Sequence, residues 1–338
     1  MTAPSPPPRA PVVWMFSGQG AQYFQMGRSL YESHPVFRAR LVQLDAIAAR
    51  YVGESVLSIL YDPARSISEP FGDLVASHPA LFMVQVALAD TLLAEGLPPP
   101  DLLLGASLGE FVAAAVAGVA EPEAMLVDLV QQARIFEAHC GGGGMLVVLD
   151  ALDADGGHPV FGPGIELAGL SFERCFAVAG PRTALLPAVQ RLRARDIAHQ
   201  LLPMDIAFHS SHVDPVAPHI VGAAPRAMRA PRIPVVSCAM AGSAAMPPSF
   251  TPQYWWEVIR RPIDFRSAFL GLERRHPGAV YLDLGPSGSQ ASFARYNLPA
   301  SEHGRVHAIM TPFGREPERI MAVRESLART AADWPLAA

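Results

Sequence analysis

Residues 102–110 constrain the fold of this chain more than any other segment. They read Leu-Leu-Leu-Gly-Ala-Ser-Leu-Gly-Glu, and an alanine-rich helical pattern follows over residues 111–120. A strand, a sharp turn at Ser107 and a helix are the context in which a G-x-S-x-G motif presents a nucleophilic serine. The serine oxygen would lie at the carboxyl end of a sheet, above a helix N-terminus that can stabilise an oxyanion. An incidental serine in a glycine-rich turn would give the same letters, but the flanking patterns favour the nucleophile.

Strand and helix patterns alternate along most of the chain. Strands are predicted at residues 12–16, 233–237 and 280–284, and helices at residues 26–50, 79–95, 122–138, 253–259 and 265–273. We expect Pro79 to open the second of these helices, because proline is favoured in the first helical turn. The alternation predicts an α/β fold with a largely parallel sheet.

The segment 141–205 follows a different pattern. It contains short strands at residues 145–149, 176–179 and 199–202 and an amphipathic helix at residues 185–195. This is the βαβ arrangement of a small ferredoxin-like unit. The sequence therefore predicts an α/β-hydrolase-like large subdomain (12–140 and 206–327) with a ferredoxin-like insertion (141–205). Residues 1–11 are expected to form a disordered leader and residues 328–338 a loose tail.

Composition excludes several classes of function. The 338 residues include no lysine, which excludes a Walker A loop and a Schiff-base lysine. A net charge of −5 without a basic run argues against nucleic acid as a partner. No apolar run approaches the roughly 20 residues of a membrane span, and no signal peptide is recognisable. Three cysteines without C-x-x-C spacing indicate neither a disulfide framework nor a metal site. We expect a cytoplasmic monomer.

A serine nucleophile needs a base, and histidine is the usual one because its pKa lies near neutral pH. The chain has 11 histidines. The best candidate is His209, in Ala-Phe-His-Ser at residues 207–210, where the predicted insertion rejoins the large subdomain. Junctions of this kind favour clefts.

Several motifs in order along the chain resemble the malonyl-CoA/acyl-carrier-protein acyltransferase family, which includes the acyltransferases of fatty acid and polyketide synthases. The resemblance covers residues 12–297. The matching segments are F-S-G-Q-G-A-Q at 16–22, A-L-F-M-V-Q at 80–85, G-A-S-L-G-E at 105–110, A-F-H-S at 207–210, Y-W at 254–255 with Pro262, and L-G-P at 284–286.

The resemblance implies a role for each matching residue. Ser107 would attack a thioester carbonyl, and His209 would take its proton. The backbone N–H groups of Gln19 and Leu108 would form the oxyanion hole. Phe208, beside His209, and Gln132 and His78, at two positions that depart from the family, are the candidate substrate-binding residues. The substrate would be a phosphopantetheine thioester on an acyl carrier protein or coenzyme A, with no bound cofactor.

Gln132 is the most informative departure from the family pattern. Malonyl-type members carry an arginine 25 residues after the serine, which holds the malonyl carboxylate. Glutamine is uncharged, and leaving a buried carboxylate unpaired costs several kcal/mol. We therefore expect an uncharged acyl group. Arg134, two residues on, would point to another helix face. Ala106 and His78 also depart from the family, which commonly has histidine and glutamine there.

The pattern of this sequence, that of a free-standing acyltransferase homologue with glutamine in place of the arginine, resembles the acyl hydrolases of trans-acyltransferase polyketide pathways, which remove acyl groups from carrier proteins. We take hydrolysis as the first hypothesis. The alternatives are transfer of an uncharged acyl group to a carrier, and, less favoured, malonyl transfer. An ordinary α/β-hydrolase esterase and an inactive docking homologue are further alternatives.

Overall fold

The structure is a computed structural model that describes residues 10–223, 228–240 and 249–332. Its strands are β1 (Val12–Phe16), β2 (Leu102–Gly105), β3 (Met145–Val148), β4 (Glu166–Phe172), β5 (Cys175–Ala179), β6 (His199–Leu201), β7 (Val235–Ser237), β8 (Ile263–Asp264), β9 (Val280–Asp283) and β10 (Val306–Ala308). Its α-helices are α1 (Arg28–Ser33), α2 (Pro35–Val52), α3 (Val56–Leu60), α4 (Leu74–Ala94), α5 (Leu108–Val116), α6 (Pro122–His139), α7 (Arg182–Ala194), α8 (Ala217–Ala223), α9 (Pro252–Arg260), α10 (Phe265–Arg275), α11 (Ser289–Tyr296) and α12 (Glu316–Ala332).

The predicted leader and tail fall mostly outside the described residues. Of the leader, only positions 10 and 11 are described. Helix α12 continues five residues into the segment assigned to a loose tail, and residues 333–338 lie outside the described part.

A parallel sheet in the order β10-β9-β1-β2-β7 forms the centre of the large subdomain. Every residue of β1 is buried, as expected for a strand with helices on both faces. The carboxyl ends of β1 and β2 lie side by side, with Phe16 opposite Gly105. The loops that follow these two strands therefore meet at one edge of the sheet. The predicted α/β class with a parallel sheet is confirmed.

The second sheet has the order β6-β3-β5-β4-β8 and is antiparallel except where β4 meets β8. On one face, Leu146 and Phe176 pack against Leu185 of α7. The other face turns toward the large subdomain. Two of its strands were not predicted. Strand β4 has two register irregularities that interrupt its alternation, and the two-residue β8 comes from outside residues 141–205.

Two of the predicted helices differ from the observed ones at a proline. The pattern over residues 26–50 forms two helices because His34 precedes Pro35 and is extended, as is usual before proline. Pro79 does not open its helix. Helix α4 begins at Leu74, where the Asp73 side chain accepts a hydrogen bond from Ala76 N, and Pro79 lies inside it.

Helix α4 has the length and mean hydropathy of a membrane span, although it contains no continuous apolar run of that length. Within the described ranges it is the one helix that meets both criteria. Its most apolar window is 94% buried inside the protein, as in the core helix of a soluble protein. The polar positions His78, Gln85 and Asp90 divide its apolar run in the sequence.

Candidate active site

Ser107 lies in the turn between β2 and α5 with φ 56° and ψ −126°, a strained backbone conformation for a non-glycine residue. The two motif glycines make this turn possible. A Cβ on Gly109 would overlap the carbonyl oxygen of Phe16, and one on Gly105 would collide with the backbone of Glu110. The predicted strand, turn and helix are therefore present, and they hold Ser107 at the carboxyl edge of the parallel sheet.

His209 is the side chain that the structure brings to Ser107. Its Nε2 lies 2.9 Å from Ser107 Oγ, and its Nδ1 lies 2.9 Å from the carbonyl oxygen of Arg261. Because Nδ1–H donates to that carbonyl, the Nε2 lone pair faces the serine hydroxyl. Burial lowers the pKa of His209 to about 4, although the Arg261 carbonyl acts to raise it. The imidazole is therefore neutral at pH 7 and able to accept a proton.

The two acidic residues that flank His209 in the sequence, Asp205 and Asp214, form hydrogen bonds with other residues. Asp214 pairs with Arg260, and Asp205 accepts a hydrogen bond from Gly142 N at 3.0 Å. His212 lies near His209 in sequence, but its Nε2 bonds the carbonyl of Gly164 at 2.8 Å. The arrangement at Ser107 is thus a serine–histidine pair oriented by a backbone carbonyl.

The loop after β1 packs directly against Ser107. A Cβ on Gly18 would lie 2.7 Å from Ser107 Cβ, so only glycine allows this approach. Gln19 and Leu108 line the cavity beside Ser107, and the backbone N–H of neither residue donates to another described residue. Both are therefore available to an oxyanion, as in the predicted hole.

Two buried glutamines fix this loop, a role that the sequence did not reveal. Gln85 of α4 accepts from Ser17 N at 2.8 Å and donates to Ser17 O at 3.1 Å. Gln290 of α11 donates to Phe16 O at 2.7 Å. An amide inside an apolar helix was the available signal for Gln85, since a buried polar group is normally hydrogen-bonded. Its partner, Ser17, is 68 residues away in the sequence, and no local pattern connects the two positions.

Ser107 and His209 open into a cavity of about 520 Å³ between the two subdomains. Apolar side chains from the second sheet line one side of it, including Met145, Val147 and Ala177. Phe136 and Phe208 pack edge to face at 4.8 Å on the other side. Among the described residues that line the cavity there is no arginine, aspartate or glutamate.

The cavity does contain Gln132 and His78, the other two side chains predicted to contact substrate. Both are buried, and burial lowers the pKa of His78 to about 3. Arg134 points away, and its guanidinium donates to the carbonyl of Tyr51. It therefore cannot replace the missing cavity arginine.

Glu110 is a buried acid behind the turn whose environment was not predicted. Tyr254 Oη donates to Glu110 Oε2 at 2.5 Å, and Ala239 N donates to Oε1 at 3.1 Å. Burial raises the pKa of Glu110 to about 7, against the lowering effect of these hydrogen bonds. It lies three residues after Ser107 and ties α5 to the segment after β7.

Comparison with known proteins places this geometry in a family. The model of the acyl transferase domain matches residues 13–286. The polyketide biosynthesis acyltransferase homolog BaeD of Bacillus velezensis is 40% identical over 94% of this chain and 97% of its own length. The homolog PksD of Bacillus subtilis is 37% identical over 93% of this chain and 95% of its own length. The acyltransferase domain of SpnD, crystallised in complex with 2-(pent-4-yn-1-yl)malonyl, matches with a TM-score of 0.82 and 27% identity, over 98% of this chain and 79% of that one. The chain belongs to the acyl transferase domain family.

Proposed function

We propose that this protein removes uncharged acyl groups from phosphopantetheine thioesters by forming and then hydrolysing an acyl-Ser107 intermediate. The observation that carries the proposal is the serine–histidine pair, 2.9 Å apart, opening into a cavity whose described lining has no charged residue. The similarity to polyketide biosynthesis homologs of nearly equal length supports a carrier protein of such a pathway as the thioester donor.

The chemistry follows from the atoms around Ser107. As Oγ attacks the thioester carbonyl, His209 Nε2 takes the hydroxyl proton. The carbonyl oxygen becomes an oxyanion that accepts from Gln19 N–H and Leu108 N–H. When the carbon–sulfur bond breaks, His209 returns the proton to the leaving thiolate and acyl-Ser107 remains. His209 then takes a proton from water, whose oxygen attacks the ester, and returns it to Ser107 as the free acid leaves.

The neutral cavity supports the choice of acyl group. Malonyl would place a carboxylate near Gln132, where no cation lines the described cavity. A buried unpaired carboxylate costs several kcal/mol, which disfavours malonyl transfer. The enzyme needs no bound cofactor for this chemistry, because the thioester itself supplies the leaving group.

Transfer to a second carrier thiol is the other candidate function. The match to the acyl transferase domain, and the description of BaeD and PksD as acyltransferase homologs, favour it. Both functions share every step up to acyl-Ser107. They differ only in whether water or a thiol resolves the intermediate. The esterase alternative is disfavoured by the same family match.

An assay with one acyl carrier and then two separates the candidates. Acetyl- or butyryl-carrier protein is incubated with the enzyme, with and without an unloaded second carrier, and free acid and both carriers are quantified by mass spectrometry. We expect free acid in both mixtures at similar rates. Acyl groups that only move between carriers, with no free acid, would reject hydrolysis. In a separate incubation with malonyl-CoA, a stable malonyl adduct on Ser107 would show that Gln132 does not exclude a charged acyl group.

A further inference from the structure

The side-chain amide of Gln132 is an unused hydrogen-bonding group inside the acyl cavity. Gln132 is only 5% exposed, and the structure gives its side chain no hydrogen bond to the described chain. Its amide oxygen and nitrogen keep some accessible surface, and because Gln132 lines the cavity, that surface faces the cavity. Buried amides in proteins are normally paired. A free one in a substrate cavity therefore indicates a partner on the substrate.

His78 places a second neutral polar group in the same cavity. Gln19 Nε2 lies 2.7 Å from His78 Nδ1 and 2.9 Å from Ser77 Oγ, so the amide donates to Nδ1. A neutral imidazole that accepts at Nδ1 carries its proton on Nε2. The ring lies 6.0 Å from that of Phe208, on the side of the cavity where Phe136 and Gln132 lie. Its Nε2–H has no partner in the described chain.

We propose that this cavity selects acyl chains that carry a neutral oxygen, a hydroxyl above all, over plain alkyl chains of the same length. The inference rests on the proposed function, since it concerns the acyl group bound for transfer to Ser107. A hydroxyl can accept from the Gln132 amide nitrogen or from His78 Nε2–H and donate to the Gln132 amide oxygen. A ketone can only accept. The preference should therefore fall in the order hydroxyl, ketone, alkyl.

The magnitude follows from the cost of an unmade hydrogen bond. An alkyl chain that fills the cavity displaces water and leaves the Gln132 amide unpaired. That loss corresponds to a preference of roughly 5- to 150-fold for the oxygenated chain, or on the order of 1–3 kcal/mol. A carboxylate would satisfy the amide but would bring an uncompensated charge.

The test compares hexanoyl, 3-oxohexanoyl, 3-hydroxyhexanoyl and 5-hydroxyhexanoyl thioesters of N-acetylcysteamine. The ratio of kcat/KM for each oxygenated chain to that for hexanoyl is measured in the wild type and in two variants. Gln132→Leu removes the cavity amide at similar volume. Gln131→Leu makes the same change at the exposed neighbouring position and is the matched control.

We expect at least one hydroxyhexanoyl thioester to exceed hexanoyl about tenfold in the wild type and in Gln131→Leu, and the ratio to fall to about 1–2 in Gln132→Leu. Equal kcat/KM for all four thioesters in the wild type would overturn the inference, and so would a preference that survives Gln132→Leu. Acylation of Ser107, followed by intact mass, is the separate readout. If no thioester acylates Ser107, the proposed function fails. If all do with equal efficiency, only the selectivity inference fails.

Discussion

The cavity has two walls that the chain builds in different ways. The catalytic wall consists of residues 17–20, Ser107, Leu108 and His209, and its geometry is fixed by the backbone. Gly18 approaches Ser107 too closely for any side chain, and His209 is held through a main-chain carbonyl. The acyl wall consists of His78, Gln132, Phe136 and Phe208, and there two neutral polar side chains keep free hydrogen-bonding groups. The geometry of the reaction is thus set by the backbone, whereas in our proposal the choice of acyl group depends on the side chains of Gln132 and His78.

Removal of the nucleophile is expected to have the largest effect and tests the catalytic wall directly. Ser107→Ala deletes the oxygen that forms the ester. We expect no acyl adduct by intact mass and a loss of at least roughly 10⁴-fold in thiol release. Ser33→Ala, which removes an exposed hydroxyl of helix α1 outside the cavity, is the control and should stay near wild type. Unchanged turnover in Ser107→Ala would contradict the assignment of Ser107 as the nucleophile.

Gly18→Ala tests whether close backbone approach sets the geometry of the catalytic wall. The new Cβ would lie 2.7 Å from Ser107 Cβ and 2.8 Å from the carbonyl oxygen of Ala106. Loop and serine must then separate by a fraction of an ångström, and we expect kcat/KM to fall roughly 100-fold. In Gly304→Ala no atom lies within 4 Å of the new Cβ, so we expect kcat/KM to be unchanged. Full activity in Gly18→Ala would show that the loop position is not critical.

Gln85→Leu tests whether the hydrogen bonds from Gln85 position the loop after β1. The variant removes both hydrogen bonds that Gln85 makes to the backbone of Ser17, two residues before the Gln19 N–H. Gln85 acts as a positioning residue, so we expect kcat to fall about tenfold with KM little changed, beyond a stability loss of about 1–3 kcal/mol. Thr91→Val removes another buried hydrogen bond in the same helix, from Thr91 Oγ1 to Ala87 O, without touching the loop. If both variants lose stability and activity in equal proportion, Gln85 has no role beyond folding.

Features encoded in neighbouring residues could be predicted from the sequence, whereas those that depend on the packing of distant elements could not. The turn at Ser107 is encoded in consecutive residues, so strand, turn and helix followed from the local pattern. His209 lies 102 positions away and was found by its place at a subdomain junction and by family resemblance. The hydrogen bonds from Gln85 to Ser17 and from Gln290 to Phe16 depend on how distant elements pack, and no local pattern records them. Strand β4 was missed because its irregular register hides the alternation that marks a strand.

The pH dependence is the smallest expected effect and tests the environment of His209. Its folded-state pKa is lowered to about 4, so the neutral base is present throughout the range above that value and is lost only as the pH falls through it. We expect kcat/KM for a neutral thioester to vary less than about twofold between pH 5.5 and 8. A histidine with an ordinary pKa near 6.5 would lose about tenfold activity at pH 5.5. Glu110, whose pKa is raised to about 7 behind the turn, is the internal control. An inflection near pH 7 that disappears in Glu110→Gln would belong to that carboxyl, whereas one near pH 6.5 that persists in Glu110→Gln would show that burial does not hold His209 neutral.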